Sequence, residues 1–367
     1  DRDDAEAGYK RLAKAHGYAG AAQATAAQLY NPAQGKGQNR SKADSLGMGN
    51  VREFWLLEYL KAVGFYRAGF TRLLRGTKDR KSYVIAPGDV ELSVHERIMG
   101  MFRARMPFSE AATRSDILVA LRYSRAFLEY AEADEAGSKD VLERLLLGDT
   151  PRDSIRGFYV AFYKNLGNSA ATMNLAFINL PAWIHLSATD AVKDYLDLLA
   201  EHEQIVVQLD ESHSDAAELL AHYRDFIVSD DLSPFFEFTT AYGGYVISQR
   251  ERSKYAPQLT VENLRRLFMN VDARLSEILD PELHPGFHNI ADAIRQSTVT
   301  AQYRKKQGDR RYDVRYGLGQ EMARKARYPE EFVTALSDFL HKYNAENAQV
   351  MENRPGPYRK SIKTGDI

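Results

Sequence analysis

The chain has 367 residues, a net charge of −1, 44% hydrophobic and 27% charged residues, and no cysteine. Such a length suits two or three domains, or one domain with a helical appendage, and the composition is that of a globular chain, not a disordered one. The missing cysteine excludes disulfides, a cysteine nucleophile and thiolate metal sites, and no apolar run reaches the roughly 18 residues of a membrane helix.

Residues 5–16 and 19–29 read as short alanine-rich helices. "NPAQGKGQNRSKADSLGMGN" follows as a loop with four glycines, three cations and one acid. Asn50 then reads as the N-cap of a helix over "VREFWLLEYLKAVGFYRAGFTRLL", with Phe54, Leu57, Leu60, Ala62 and Phe65 on a buried face. The polar turn "RGTKDRK" leads into "SYVIAP", a β-rich run ended by Pro87. Residues 92–105 and 109–133 read as helices, and "EAGSKD" and "GDTPRDS" as turns. Residues 157–186 are rich in aromatics and fit either a strand pair or a buried helix. Helices are then expected over 190–209, 213–228, 234–249, 261–279, 287–307, 312–326 and 329–350, until "NRPGPYRK" breaks the series. The expected fold is mainly α: an N-terminal α+β region, residues 1–188, and a C-terminal helical bundle, residues 189–367. Gln258 is an alternative boundary. The chain opens on Asp1 and closes on "SIKTGDI", where Thr364 or Asp366 stands as a helix N-cap with no helix after it. A piece of a longer polypeptide is the expectation.

Charge is unevenly spread. Residues 36–81 carry eleven Lys/Arg against four acids, residues 190–231 twelve acids against two cations, and residues 304–327 nine cations against three acids. Such zoning suits a polyanion-binding face, and equally a set of solvated helix faces.

Motifs for chemistry are sparse. No HExxH, Walker A, G-x-S-x-G or kinase set occurs, and "GKGQNR" and "GLGQEM" lack the third glycine of a dinucleotide fingerprint. His284 and His288 have metal-ligand spacing, but Pro285-Gly286 interrupts it, so no metal and no cofactor are expected. Binding residues are plentiful. In the first loop, Asn31, Gln34, Gln38 and Asn39 offer amides and Lys36, Arg40 and Lys42 offer cations, while Gly35 and Gly37 let the backbone come close to a groove. Later, Arg304, Lys305, Lys306, Arg310, Arg311 and Arg315 alternate with Tyr303, Tyr312 and Tyr316, and Arg250, Arg252 and Lys254 lie beside Tyr255. Cations that follow a backbone and rings that stack on bases suit a single strand.

The segments "LYNPAQGKGQNRSKAD", "FWLLEYLKAVGFYRAG", "RGTKDRKSYVIAP", "MNLAFINLPAWI", "FFEFTTAYGGYVISQRERSKYAPQLTVENLRRLFM" and "RYDVRYGLGQEMARKA" resemble the large subunit of type I CRISPR Cascade surveillance complexes, and the resemblance extends over most of the chain. It implies a cytoplasmic, non-catalytic antiviral-defence subunit in a ribonucleoprotein complex. Such a subunit reads the protospacer-adjacent motif (PAM) in double-stranded DNA, aids duplex opening, and presents the target to the helicase–nuclease. Its C-terminal bundle resembles the small subunit, which lines the path of the displaced strand. Carried onto this chain, the Asn31–Lys42 loop would read the motif, and Arg250–Lys254 with Arg304–Arg327 would hold the displaced strand. The partners would be target DNA, the guide RNA complex, other Cascade subunits and the helicase–nuclease, with no membrane. Two alternatives stand beside it: a scaffold subunit whose basic zones meet guide RNA or protein, and a hydrolase at the aromatic region 157–186.

Overall fold

The structure is a computed structural model that describes residues 7–8, 11, 14–15, 55–107, 109–133, 135–167, 170–229, 231–269, 271–353, 355–363 and 365. Asn50, Thr364 and Asp366, and most of the two expected N-terminal helices, lie outside them. The chain divides into two compact units. One comprises the residues up to Ala126 with Pro151–Leu180, the other Phe127–Thr150 with Pro181–Ile367. The boundary read from sequence was Ala188.

The first unit is built on a five-stranded sheet. Helix α1 (Trp55–Ala68) leads into β1 (Gly69–Leu74), then β2 (Arg80–Pro87), α2 (Leu92–Arg105), β3 (Ser109–Glu110) and α3 (Ala112–Glu132). After α4 (Ser138–Leu146), which belongs to the second unit with the end of α3, and the single turn α5 (Pro151–Ser154) come β4 (Ile155–Asn165) and β5 (Ala170–Asn179). Strand order is β3-β1-β2-β4-β5, with β3 parallel to β1 and the other pairs antiparallel.

The expected helix over 51–74 therefore stops at Ala68. "GFTRLL" pairs with β2, Thr71 opposite Ser82 with their hydroxyls 2.8 Å apart. Gly69 permits the change, because a Cβ there would lie 2.8 Å from the Tyr83 carbonyl oxygen. Pro87 ends β2 as expected, and of the two readings of 157–186 the strand pair holds. Gly157, at φ +152, lies where a Cβ would meet the Ile178 carbonyl oxygen at 2.1 Å. Residues read as turns become helical at Ser138 and Pro151. Phe70, Tyr83, Phe102, Tyr123 and Phe158 form the core, with ring centroids 5.2 to 5.7 Å apart. Lys81 enters it because Asp116 receives its ammonium at 2.8 Å.

The second unit is helical: α6 (Ala191–Gln208), α7 (Ser214–Val228), α8 (Ser233–Glu251), α9 (Val261–Met269), α10 (Ala273–Ile278), α11 (Pro285–Ser297), α12 (Val299–Lys306), α13 (Leu318–Lys325) and α14 (Pro329–Asn353). Three expected helices are shorter or split. Asp272 caps α10 by accepting from the Arg274 amide, so 261–279 is two helices. Thr298, at φ −114 and ψ −90, divides 287–307. Gly317, in the left-handed region, delays α13 to Leu318. Helix α8 packs on α7, α12 and α13. Its N-terminal half joins an aromatic core with Trp183, His202, Tyr223, Phe226, Phe235 and Phe238. Burial pushes His202 down to about 3, so it is neutral beside the Tyr223 hydroxyl. A second core joins α11, α13 and α14 through Ala293, Met322, Phe339 and Tyr343.

Several acids of the 190–231 zone act inside this unit. Glu201 accepts from the Thr260 amide and Asn263 Nδ2, each at 2.8 Å, at the start of α9, and Asp194 pairs with Arg266 at 2.8 Å.

Candidate nucleic-acid interface

Two basic stretches far apart in sequence meet at one end of α8. Helix α12 is tied to α8 by Gln302 Nε2, which donates to the Ile247 carbonyl at 3.2 Å. That register brings the last turn of α12, with Arg304, Lys305 and Lys306, beside the loop after α8. Lys306 Nζ lies 3.3 Å from Ser253 Oγ. The loop is itself fixed. Ser253 takes φ +59, its amide donates to Arg250 at 3.0 Å, and the Lys254 amide donates to Gln249 at 2.9 Å. Arg252, Lys254, Lys305, Lys306 and Arg310 are exposed. So are Tyr255, Tyr303 and Tyr316, at 73%, 56% and 56%. The Lys305 ammonium stands 5.9 Å from the Tyr316 ring centroid. This ridge of ammonium groups and open rings can neutralise phosphates and stack on bases.

Beyond the exposed Arg310, both Arg311 and Arg315 face inward. Arg311 makes a forked pair with Asp309 at 2.9 and 2.6 Å and donates to the Pro355 and Pro357 carbonyls at 3.2 and 3.1 Å. The guanidinium pushes the Asp309 carboxyl down to about 2. Arg315 lies 3.4 Å from Glu346 and 5.6 Å from the Phe339 centroid. Glu346 also faces Arg359, at 3.3 Å, whose side chain is 0% exposed. Arg359 donates to the Gln296 carbonyl at 2.7 Å and sits 3.7 Å from the Tyr312 centroid. Burial pushes its guanidinium down, and Glu346 opposes that. The Tyr312 hydroxyl lies 2.8 Å from Asn347 Oδ1 and receives the Arg359 amide at 3.1 Å. Tyr312 is thus buried and closed to a base, contrary to its reading as a stacking ring. From the loop before α13, Arg311 thus holds the C-terminal segment and Arg315 holds α14. Arg304 is half-buried, and its Nη1 has no partner among the described residues.

A groove runs beside the ridge, along α8, α11 and α12. One part encloses about 540 Å³ and is lined by Arg250, Arg295, Tyr303, Tyr242 and Gly243, among others; among the described residues no acid lines it. A second part, about 420 Å³, shares Gly243, Arg295 and Val299 with the first and reaches Tyr316. The Arg250 Nε is buried without a partner among the described residues. Sequence reasoning missed Arg295 and Gly243. Arg295 stands alone in "DAIRQS", with no charge run to mark it.

Asn31, Gln34, Lys36, Gln38, Asn39, Arg40 and Lys42 lie outside the described residues. Elsewhere in the first basic zone, Arg67 pairs with Glu96, Arg75 with Glu110 at 3.6 Å and Lys81 with Asp116, while Lys78 and Arg80 are exposed. The region 157–186 presents Tyr159, Met173 and Leu175 as exposed residues of β4 and β5. Among the described residues, no three of His, Asp and Glu are grouped to hold a metal ion, and no helix is long and apolar enough to cross a membrane. Compared with family models, curated proteins and solved structures, the chain matches none.

Proposed function

We propose that the chain is a non-catalytic DNA-binding large subunit of an RNA-guided type I CRISPR surveillance complex. The observation that supports this reading best is the meeting of the Arg250–Tyr255 and Tyr303–Lys306 segments at Ser253 and Lys306, which makes one exposed basic and aromatic ridge from two stretches. In this reading the ridge holds the displaced strand. The backbone is neutralised by Arg252, Lys254, Lys305 and Lys306, and bases stack on the open tyrosines. The loop with Lys36, Asn39 and Arg40 reads the PAM and helps open the duplex, while guide pairing supplies most of the sequence choice. The remaining partners are the guide RNA, the other subunits and the helicase–nuclease, in the cytoplasm.

The test is assembly with the guide RNA and partner subunits, followed by titration of labelled duplexes with varied flanking motifs. Binding that depends on the flank in the wild type, and loses that dependence in Lys36→Ala/Asn39→Ala/Arg40→Ala, is the expected result. A triple variant that assembles and binds every duplex as the wild type does would remove the motif-reading role. Loss of assembly instead would favour the scaffold reading.

A further inference from the structure

We infer that the groove beside the ridge seats one unstacked nucleotide of a single strand, its phosphate between Arg250 and Arg295 and its base against Tyr303. The inference deepens the reading above and rests on it. Among the described residues, two guanidiniums and no carboxylate line the 540 Å³ part, a size within the roughly 300–1,000 Å³ of small-ligand pockets. The Arg250 Nε is a charged donor, buried and without a partner among the described residues. A buried donor left in that state is costly, and a phosphate oxygen is the acceptor that fits it. The opposite requirement, a flat apolar surface for a base, is met by Val246, Val299 and the Tyr303 ring.

Gly243 gives the strongest sign that the space is kept open. A glycine in mid-helix weakens the helix relative to alanine. Yet a Cβ at Gly243 would meet nothing within 4 Å, so no packing constraint demands glycine there. What its missing side chain leaves is room in the groove, whose wall includes Gly243. The groove also adjoins the ridge: Tyr303 lies about one turn before Lys306, and Arg250 lies two residues before Arg252 and four before Lys254. A strand lying on the ridge can therefore turn one residue inward.

The full chain is titrated with fluorescein-labelled (dT)12 and with an abasic oligomer of the same length, with inorganic phosphate as competitor. Gly243→Leu fills the groove, and Tyr303→Ala removes the ring. Each is expected to weaken (dT)12 by about tenfold while leaving the abasic oligomer unchanged. Tyr303→Phe restores (dT)12, and Arg295→Ala weakens both oligomers. Gly243→Leu is expected to melt no lower than the wild type; if it fails to fold, Tyr303→Ala, at an exposed position, decides by the same comparison. Wild-type affinity for (dT)12 in the variant that decides overturns the groove, as does inorganic phosphate competing in the millimolar range equally against both oligomers. If Lys305→Ala/Lys306→Ala weakens both oligomers and Gly243→Leu weakens neither, the groove falls and the ridge stands. If the wild type binds neither oligomer, both fall.

Discussion

Residues 304–306 and 309–315 follow one another and read as one basic run, yet their surroundings differ. Lys305 and Lys306 end a helix and project beside the loop after α8. Arg311 and Arg315 point the other way, onto Asp309, Glu346 and the carbonyls of residues 355 and 357. The difference follows from the partners within reach and not from residue type alone: Arg252 and Arg310 are exposed, and Lys81 is buried on Asp116. Where carboxylates and carbonyls are at hand, the planar five-donor guanidinium can meet several of them at once, as Arg311 does. Charge density in a sequence therefore marks where cations are, and their partners decide which of them remain for a polyanion.

The largest expected effect breaks the inward half. Arg359→Met leaves Glu346 facing a half-empty network, and breaking a buried pair typically costs about 3–5 kcal/mol. Urea unfolding is expected to show a loss of that order. The next effect isolates the outward half. Lys305→Ala/Lys306→Ala removes about two phosphate contacts, so the log–log salt dependence of single-strand binding should flatten by about 1.4, with roughly 50-fold weaker binding at 50 mM salt. Its unfolding free energy should stay within about 0.5 kcal/mol of the wild type. A smaller effect is expected from Tyr312→Phe, which removes the hydroxyl between Asn347 and the Arg359 amide. It should cost about 1 kcal/mol in the same urea experiment and leave strand affinity unchanged.

The smallest effect sharpens the contrast by pH. Asp309 has a folded-state pKa of about 2, below its ordinary 3.8. Its contribution is therefore complete above pH 4 and is lost as pH falls from about 4 to 2. In Arg311→Ala that part of the pH–stability curve should flatten, as read by thermal unfolding across this window.

Much of the fold was legible from local signals. Pro87 ended a β-rich run, and residues 92–105 carried a helical pattern with the same ends as α2. Other features depended on distant residues. "GFTRLL" has the apolar spacing of a helix and becomes a strand because β2 lies beside it. Residues 157–186 were ambiguous because a short apolar run has no diagnostic period, and β4 gains its second partner from the distant β2. At the interface, the basic segments were visible as charge. The division between them was not, since Arg315 and Glu346 are 31 residues apart and Arg311 meets the carbonyl of residue 355, 44 away. Arg295 and Gly243 carried no signal that a run or motif could reveal, and the packing of α12 on α8 and of α11 on α12 places them on one groove.

The most direct test of the account is a salt titration of single-stranded (dT)12 binding by the full chain, comparing wild type, Lys305→Ala/Lys306→Ala and Arg311→Ala. The account predicts salt-dependent binding that the lysine pair weakens and flattens and that Arg311→Ala leaves unchanged. Equal weakening by both variants, or unchanged binding in the lysine pair, would contradict the division into an outward and an inward half.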